Sequence, residues 1–291
     1  DGLSDSDSVV FTIYFQAPEN AVYQLHTVIR RQEGRLSIVK ESLRRKPIAG
    51  IKTKKALFDF SARHPELVRD TQEKYLLDDV SIMVAVNKQL AEKIVVIDML
   101  RYTNSNLLGL GSDIPPALIA FFDPSIEYLY RDTKQKDSPI HLKFKGKAEI
   151  LLTQPAELNR YLSSGTIKGI NTFMQASKSF KTGGYVLIDE MENHFNKEIV
   201  STLIRFYMDQ QINPKGAVLI FSTHYAELLD EFNSNDSIYI VKNKSGITVE
   251  NLSKILRRND IKKSDAYQSG FLEGTVPSYE SYMQLSKSLS T

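Results

Sequence analysis

Cysteine is absent from the 291 residues. That excludes disulfides and thiolate metal sites, and it suits a reducing compartment, so a cytoplasmic location is expected. No apolar run reaches the roughly 20 residues that a membrane-spanning helix needs, and no secretory leader is recognisable. An excess of one charge sign is missing too. Lys and Arg number 37 against 35 Asp and Glu, a formal charge of +2, so no whole-chain field points to nucleic acid or membrane. There is no internal repeat and no low-complexity tract. What is present is ordinary for a globular chain, with 42% hydrophobic and 25% charged residues, and the length allows one large domain or two small ones.

The chain changes character several times. Residues 1–8 are polar and acidic and are expected to fray. Three β-branched and aromatic segments follow, Val9–Phe15, Ala21–Ile29 and Gly34–Leu43, separated by Pro18, Asn20 and Gly34; they predict an antiparallel meander. From Ser61 to about Leu108 the pattern turns helical, with Ile82, Val86, Leu90, Ile94 and Ile97 at near-helical spacing. A short helix is expected around Ala117–Phe122, and a hairpin over His141–Leu152 turning at Gly146. Beyond Pro155 helices and strands alternate. A helix is expected over Thr166–Phe180, a strand over Tyr185–Ile188 and a helix over Lys197–Gln210. A strand over Ala217–Ser222, a short helix over Ala226–Phe232 and two further strands complete the series. Such alternation implies an α/β fold with a partly parallel sheet. The tail, Lys254–Thr291, reads as two short helices. The expected division is an antiparallel β part at 1–60, a helical insert at 61–135, an α/β core at 136–256 and a helical tail at 257–291.

Three segments carry chemistry. Gly183–Phe195 reads GGYVLIDEMENHF, an apolar strand closed by Asp189 and Glu190. In an open α/β sheet ligands bind at the carboxyl ends of the strands, where these acids stand. One carboxylate can hold Mg²⁺, directly or through water, while the other orients and deprotonates a water, which is what nucleotide hydrolysis requires. The plainer alternative is that Asp189 caps the next helix and Glu190 faces solvent. The second segment is Phe221–Leu229, FSTHYAELL. If its strand lies beside the first, His224 emerges on the same edge as Glu190, where an imidazole can touch a γ-phosphate; otherwise it is a surface or capping residue. The third is Asn159–Ile170, NRYLSSGTIKGI. Ser163 or Ser164 can cap the following helix, Gly165 permits close approach to the backbone, and the free N–H groups attract anions. Alone, this segment is only a helix cap.

Taken together, in this order, the three segments resemble the second half of an ABC-class AAA ATPase, an SMC-related head with a P-loop NTPase-type mixed sheet flanked by helices. By that resemblance Leu162–Thr166 matches the signature loop, Val186–Glu190 the Walker B strand, Glu192–Asn196 the D-loop position, and Ser222–His224 ends in the switch histidine. Ser164 stands where Gly is usual and Thr166 where Gln is usual. Those departures look like the stand-alone ATPases of bacterial abortive-infection and OLD-type phage defence rather than a transporter subunit. The resemblance implies ATP and Mg²⁺ as cofactors. Asp189 would hold the metal, Glu190 and His224 would be catalytic, and Ser163, Ser164, Gly165 and Thr166 would bind nucleotide in trans across a head-to-tail homodimer or higher homo-oligomer. It also implies a sensor or scaffold role in antiviral defence that controls a separate effector, such as a nuclease or toxin. The helical insert would serve partner contact. No GxxxxGK[ST] loop occurs anywhere in the chain, and Gln16, Gln24 and Gln32 give no assignable Q-loop. The chain opens on Asp1 rather than Met, so the phosphate-cradling loop is expected in a natural N-terminal part outside these residues; the competing expectation is an inactive remnant kept as a scaffold.

An SMC-like DNA-repair or chromosome-associated ATPase is the alternative function. Basic clusters at Arg30-Arg31, Arg44–Lys46, Lys52–Lys55, Arg257-Arg258 and Lys262-Lys263 would then contact DNA. A third reading is an assembly protein that uses the fold without hydrolysis.

Overall fold

A computed structural model describes residues 8–17, 20–69, 77, 79–84, 95–100, 108, 114–132, 138–193, 195–243, 246–257, 261–270, 272 and 279–290. The molecule is mixed α/β, with an antiparallel meander at its start, and divides into two compact units, Asp1–Lys93 and Ile94–Thr291.

In the first unit β1 (Ser8–Ala17), β2 (Ala21–Gln32) and β3 (Arg35–Pro47) form the expected meander. The β2–β3 connection is the two-residue loop Glu33-Gly34, both with positive φ (50° and 77°). That backbone matches the twist of the flanking strands. One sheet face buries Ala21, Tyr23, Leu25 and Leu43 with Ile82. The same face buries Glu41, whose carboxylate is fully engaged. It accepts from Thr27 Oγ1 (3.1 Å), Ser81 Oγ (2.7 Å) and the Ile82 amide (2.8 Å), with the Arg69 guanidinium 3.8 Å away. A buried charge is tolerated only when paired in this way. After β3, Thr53 caps the short helix α1 (Lys54–Phe58), accepting from the Ala56 amide.

The helical expectation over 61–108 is corrected in two places. Glu66–Val68 is strand β4, antiparallel to β3, and Val96–Asp98 is strand β5, parallel to a strand nearly ninety residues later. Three-residue strands hold too few positions to show a period. Their identity comes from the long strands they pair with, so the spacing that includes Ile97 misleads. Val86, Leu90 and Ile94 lie outside the described residues.

The second unit has three cores, two of them joined by one helix and the third formed by Ile238, Ile240, Leu252, Leu256, Ala266 and Leu272. Helix α2 (Pro116–Phe122) precedes an antiparallel sheet of β6 (Ile126–Arg131), β7 (Ile140–Phe144) and β8 (Ile150–Leu152), the last two forming the expected hairpin with Gly146 at φ 70°. A 3₁₀ turn, Pro155–Arg160, leads to helix α3 (Ser164–Thr182). The first half of α3 buries Ile167 and Ile170 against Leu129, Ile140, Leu142 and Leu158. Its second half buries Phe173 and Ala176 against Val186, Ile188, Leu203 and Ile204. Strand β9 (Tyr185–Ile188) follows, then helix α4 (Lys197–Met208) and β10 (Val218–Phe221). The parallel sheet runs β10-β9-β5. A 3₁₀ turn at Ala226–Glu231 leads to an antiparallel hairpin of β11 (Tyr239–Asn243) and β12 (Ile247–Asn251). Helices α5 (Leu252–Ile255), α6 (Lys263–Gln268) and α7 (Tyr279–Leu289) complete the unit. Among the described residues no helix is long and apolar enough to cross a membrane.

Candidate functional site

The site is the carboxyl edge of β9 and β10. Their in-register parallel pairing, Ile188 opposite Phe221, releases both chains at the same height. Val186 and Ile188 face the core, as the alternation requires, and Asp189 and Glu190 emerge exposed. Ser222 joins the two chains. Its amide donates to Ile188 O (3.1 Å) and its carbonyl accepts from the Met191 amide (3.0 Å). Its hydroxyl accepts from the Glu190 amide (2.8 Å) and donates to Asp189 Oδ1. One hydroxyl thus uses its donor on one acid and an acceptor site on the other's backbone.

Glu190 has φ 45°, a left-handed conformation that costs a non-glycine residue of order 1–3 kcal/mol and persists only where neighbours hold it. The Ser222 hydroxyl is one such neighbour. Asn193 is another: its amide donates to Glu190 Oε2 (2.6 Å) and its backbone N–H to Glu190 O (2.9 Å). His224 Nε2 lies 3.9 Å from Glu190 Oε1, and both side chains are open to solvent, 80% and 47% exposed. The loop carrying His224 is held by Glu192, whose Oε1 accepts the His224 amide (2.6 Å) while its buried Oε2 has no hydrogen-bond partner among the described residues. Asp189, Glu190 and His224 therefore share one edge.

The plainer role for Asp189, a cap on the next helix, is taken by another residue. Asn196 Oδ1 accepts from the Ile199 amide (3.0 Å) at the start of α4.

At Leu162–Thr166 the structure shows a helix cap in the open. Ser163 is exposed and accepts from the Thr166 amide (3.0 Å), and the two side-chain hydroxyls lie 2.9 Å apart. Leu162 and Thr166 are buried, Ser164 and Gly165 half-buried. Two residues along, burial pushes the Lys168 ammonium below the usual lysine range. The cap stands at the start of α3 and the acids at the end of β9.

Sequence reasoning named Ser222, Glu192 and Asn193 as motif members but gave them no role. The available signals were a hydroxyl directly after a strand parallel to the acidic one, and an amide three residues beyond Glu190. Among the described residues no three His, Asp or Glu converge as a metal cage. A divalent ion at Asp189 would take most of its shell from water and ligand oxygens, which is how Mg²⁺ is usually held. An exposed carboxylate, steadied by a hydroxyl, fits that use. The chain matches no protein-family model and no curated protein at a significant level.

Proposed function

We propose that this chain carries the hydrolytic half of an ABC-type ATPase site on a P-loop NTPase-type sheet. The carrying observation is the convergence of Asp189, Glu190 and His224 at the ends of two adjacent parallel strands, with Glu190 in a backbone conformation held by Ser222 and Asn193. Bound ATP and Mg²⁺ would supply the triphosphate electrophile and the charge neutralisation. Asp189 would hold the metal through water. Glu190 orients a water and accepts its proton. His224 donates a hydrogen bond to the terminal phosphate and lies near enough to Glu190 to couple its position to occupancy. The open cap at Ser163, with Ser164, Gly165 and Thr166, presents helix N–H groups to the nucleotide of a second protomer. The phosphate-cradling loop is not among these residues, and the reading requires another segment of polypeptide to supply it. A sensor or scaffold role in antiviral defence, acting on a separate nuclease or toxin, extends this reading on the family resemblance alone.

The test uses the full natural polypeptide. Glu190→Gln should lower phosphate release at least about a hundredfold while ATP-dependent self-association persists or strengthens. Unchanged turnover in that variant, or loss of ATP binding with the fold intact, would remove Glu190 from its role.

A further inference from the structure

The chain is nearly neutral, but its charge is unevenly distributed. Between Asn20 and Arg69 there are twelve Lys and Arg against four Asp and Glu, so the remainder is net negative. Strand register sorts these cations by face. Val22, Gln24, His26, Val28 and Arg30 of β2 share a face with Arg35, Lys40, Arg44 and Lys46 of β3, and with Val10, Thr12 and Tyr14 of β1. Side-chain contacts across the strands agree with this assignment. Thr12 meets His26 (3.1 Å), Gln24 donates to Tyr14 (2.9 Å), and Arg44 pairs with Glu66 of β4 (3.1 Å). The opposite face is the one that buries Tyr23, Leu25 and Leu43.

Arg30, Arg35 and Lys40 are exposed. Glu66 is engaged by Arg44, whose guanidinium holds the carboxyl below the usual range, with Lys40 adding to the effect. Glu33 sits in the hairpin turn, and Asp59 just beyond α1. At the other end of the face, α1 lies over the sheet through Phe58, whose ring meets Tyr14 at 5.1 Å. Lys46 is spent there, donating to the Ala56 and Asp59 carbonyls and lying 4.3 Å from the Phe60 ring centre. Lys52, Lys54, Lys55 and the Phe58 ring are exposed on that segment.

We propose that this sheet face is a docking surface for the sugar-phosphate backbone of a nucleic acid. Charge complementarity selects the partner, and the interleaved Thr12, Gln24, His26 and Ser37 supply hydrogen-bonding groups of the kind that contact phosphate and sugar. A bilayer surface would instead call for a large apolar face beside the cations. A flat sheet with no element entering a groove reads backbone rather than bases, so binding is sequence-independent and salt-dependent. The inference stands apart from the ATPase reading, because it uses none of the same residues.

The test is fluorescence anisotropy of labelled single-stranded DNA, duplex DNA and single-stranded RNA, each about 30 nucleotides long, titrated with the protein from about 50 to about 200 mM salt. At least one of the three should bind, with affinity falling by about tenfold or more across that range. R30E/R35E/K40E should weaken binding at least about tenfold and flatten the salt slope. K145E/K147E, at the exposed β7–β8 turn, should leave both unchanged. R35Q/K40Q, which only neutralises, should weaken binding about threefold or more, and it decides the matter should the triple reversal fail to fold by circular dichroism. Absence of binding to all three nucleic acids at low salt would overturn the proposal. So would parental affinity in the variants, or tighter capture by phosphatidylserine vesicles than by any oligonucleotide.

Discussion

Ser222 shows how a small side chain can matter more than its size suggests. Its hydroxyl touches both acids of the site, one through a side chain and one through a backbone N–H. That second bond falls on the residue with φ 45°, so it helps hold a conformation that Glu190 would not adopt alone. Ser222→Ala removes two hydrogen bonds at an exposed position, which should cost only about 1–2 kcal/mol of stability. Its effect on turnover should be larger, about tenfold to hundredfold, because a small displacement of Glu190 misplaces the attacking water. Urea denaturation and phosphate-release assays on the same preparation separate the two. A variant that loses stability but hydrolyses at the parental rate would reduce Ser222 to a structural link. Asn193 acts on the same carboxylate from the other side, so Asn193→Ala should add to the loss rather than repeat it.

Helix α3 is the element that joins two of the second unit's cores, and at Gly169 it is closely approached. A Cβ there would lie 2.1 Å from the Phe122 ring. Gly169→Ala should therefore destabilise by about 1–3 kcal/mol despite its higher helix propensity, and Phe122→Leu in the same chain should recover part of that loss. Chemical denaturation of the two single variants and the double variant measures the coupling. Element packing also has a pH signature. Arg205 of α4 makes a two-pronged pair with Glu231 (3.0 and 2.9 Å), and the guanidinium holds the Glu231 carboxyl below the usual range. A lowered folded-state value means that this pair stabilises above the carboxylate's unfolded pKa, and that the contribution fades as pH falls through the lower folded one. Arg205→Met should thus show a small melting deficit at neutral pH that disappears in acid; a deficit persisting there would assign it to lost packing. Much of this architecture was legible in the sequence. The α3 and α4 stripes, the four-residue β9 and the Gly146 hairpin each carry their period or turn residue locally. β4 and β5 do not, because their three residues are strands only by virtue of β3 and β9. The meeting of Glu190 with His224 was conditional on strand adjacency, which the parallel register provides. The Ser222 and Asn193 contacts depend on turn geometry that no spacing encodes.

On the scale of the molecule, the parallel sheet of the second unit is covered on one side only among the described residues. Val186, Ile188, Leu219 and Phe221 face the α3–α4 core. Between them Tyr185, Val218, Ile220 and Val96 face outward, 37%, 42%, 51% and 55% exposed. Parallel sheets are ordinarily buried on both faces, and contiguous apolar surface of this kind drives association when left bare. β10 is also an edge strand, with β9 as its only partner among the described residues, which adds unpaired backbone groups to the same region. The purified chain should accordingly bind an apolar dye such as anilinonaphthalene sulfonate and self-associate as its concentration rises. V218K/I220K places two charges on that face at positions already half in solvent. It should reduce dye fluorescence and association while changing stability by no more than about 0.5 kcal/mol, as surface substitutions do. Light scattering and thermal melting of the variant beside the parent decide the point. A large loss of stability would mean that the face is packed against something in the folded chain, and unchanged association would place the adhesive surface elsewhere.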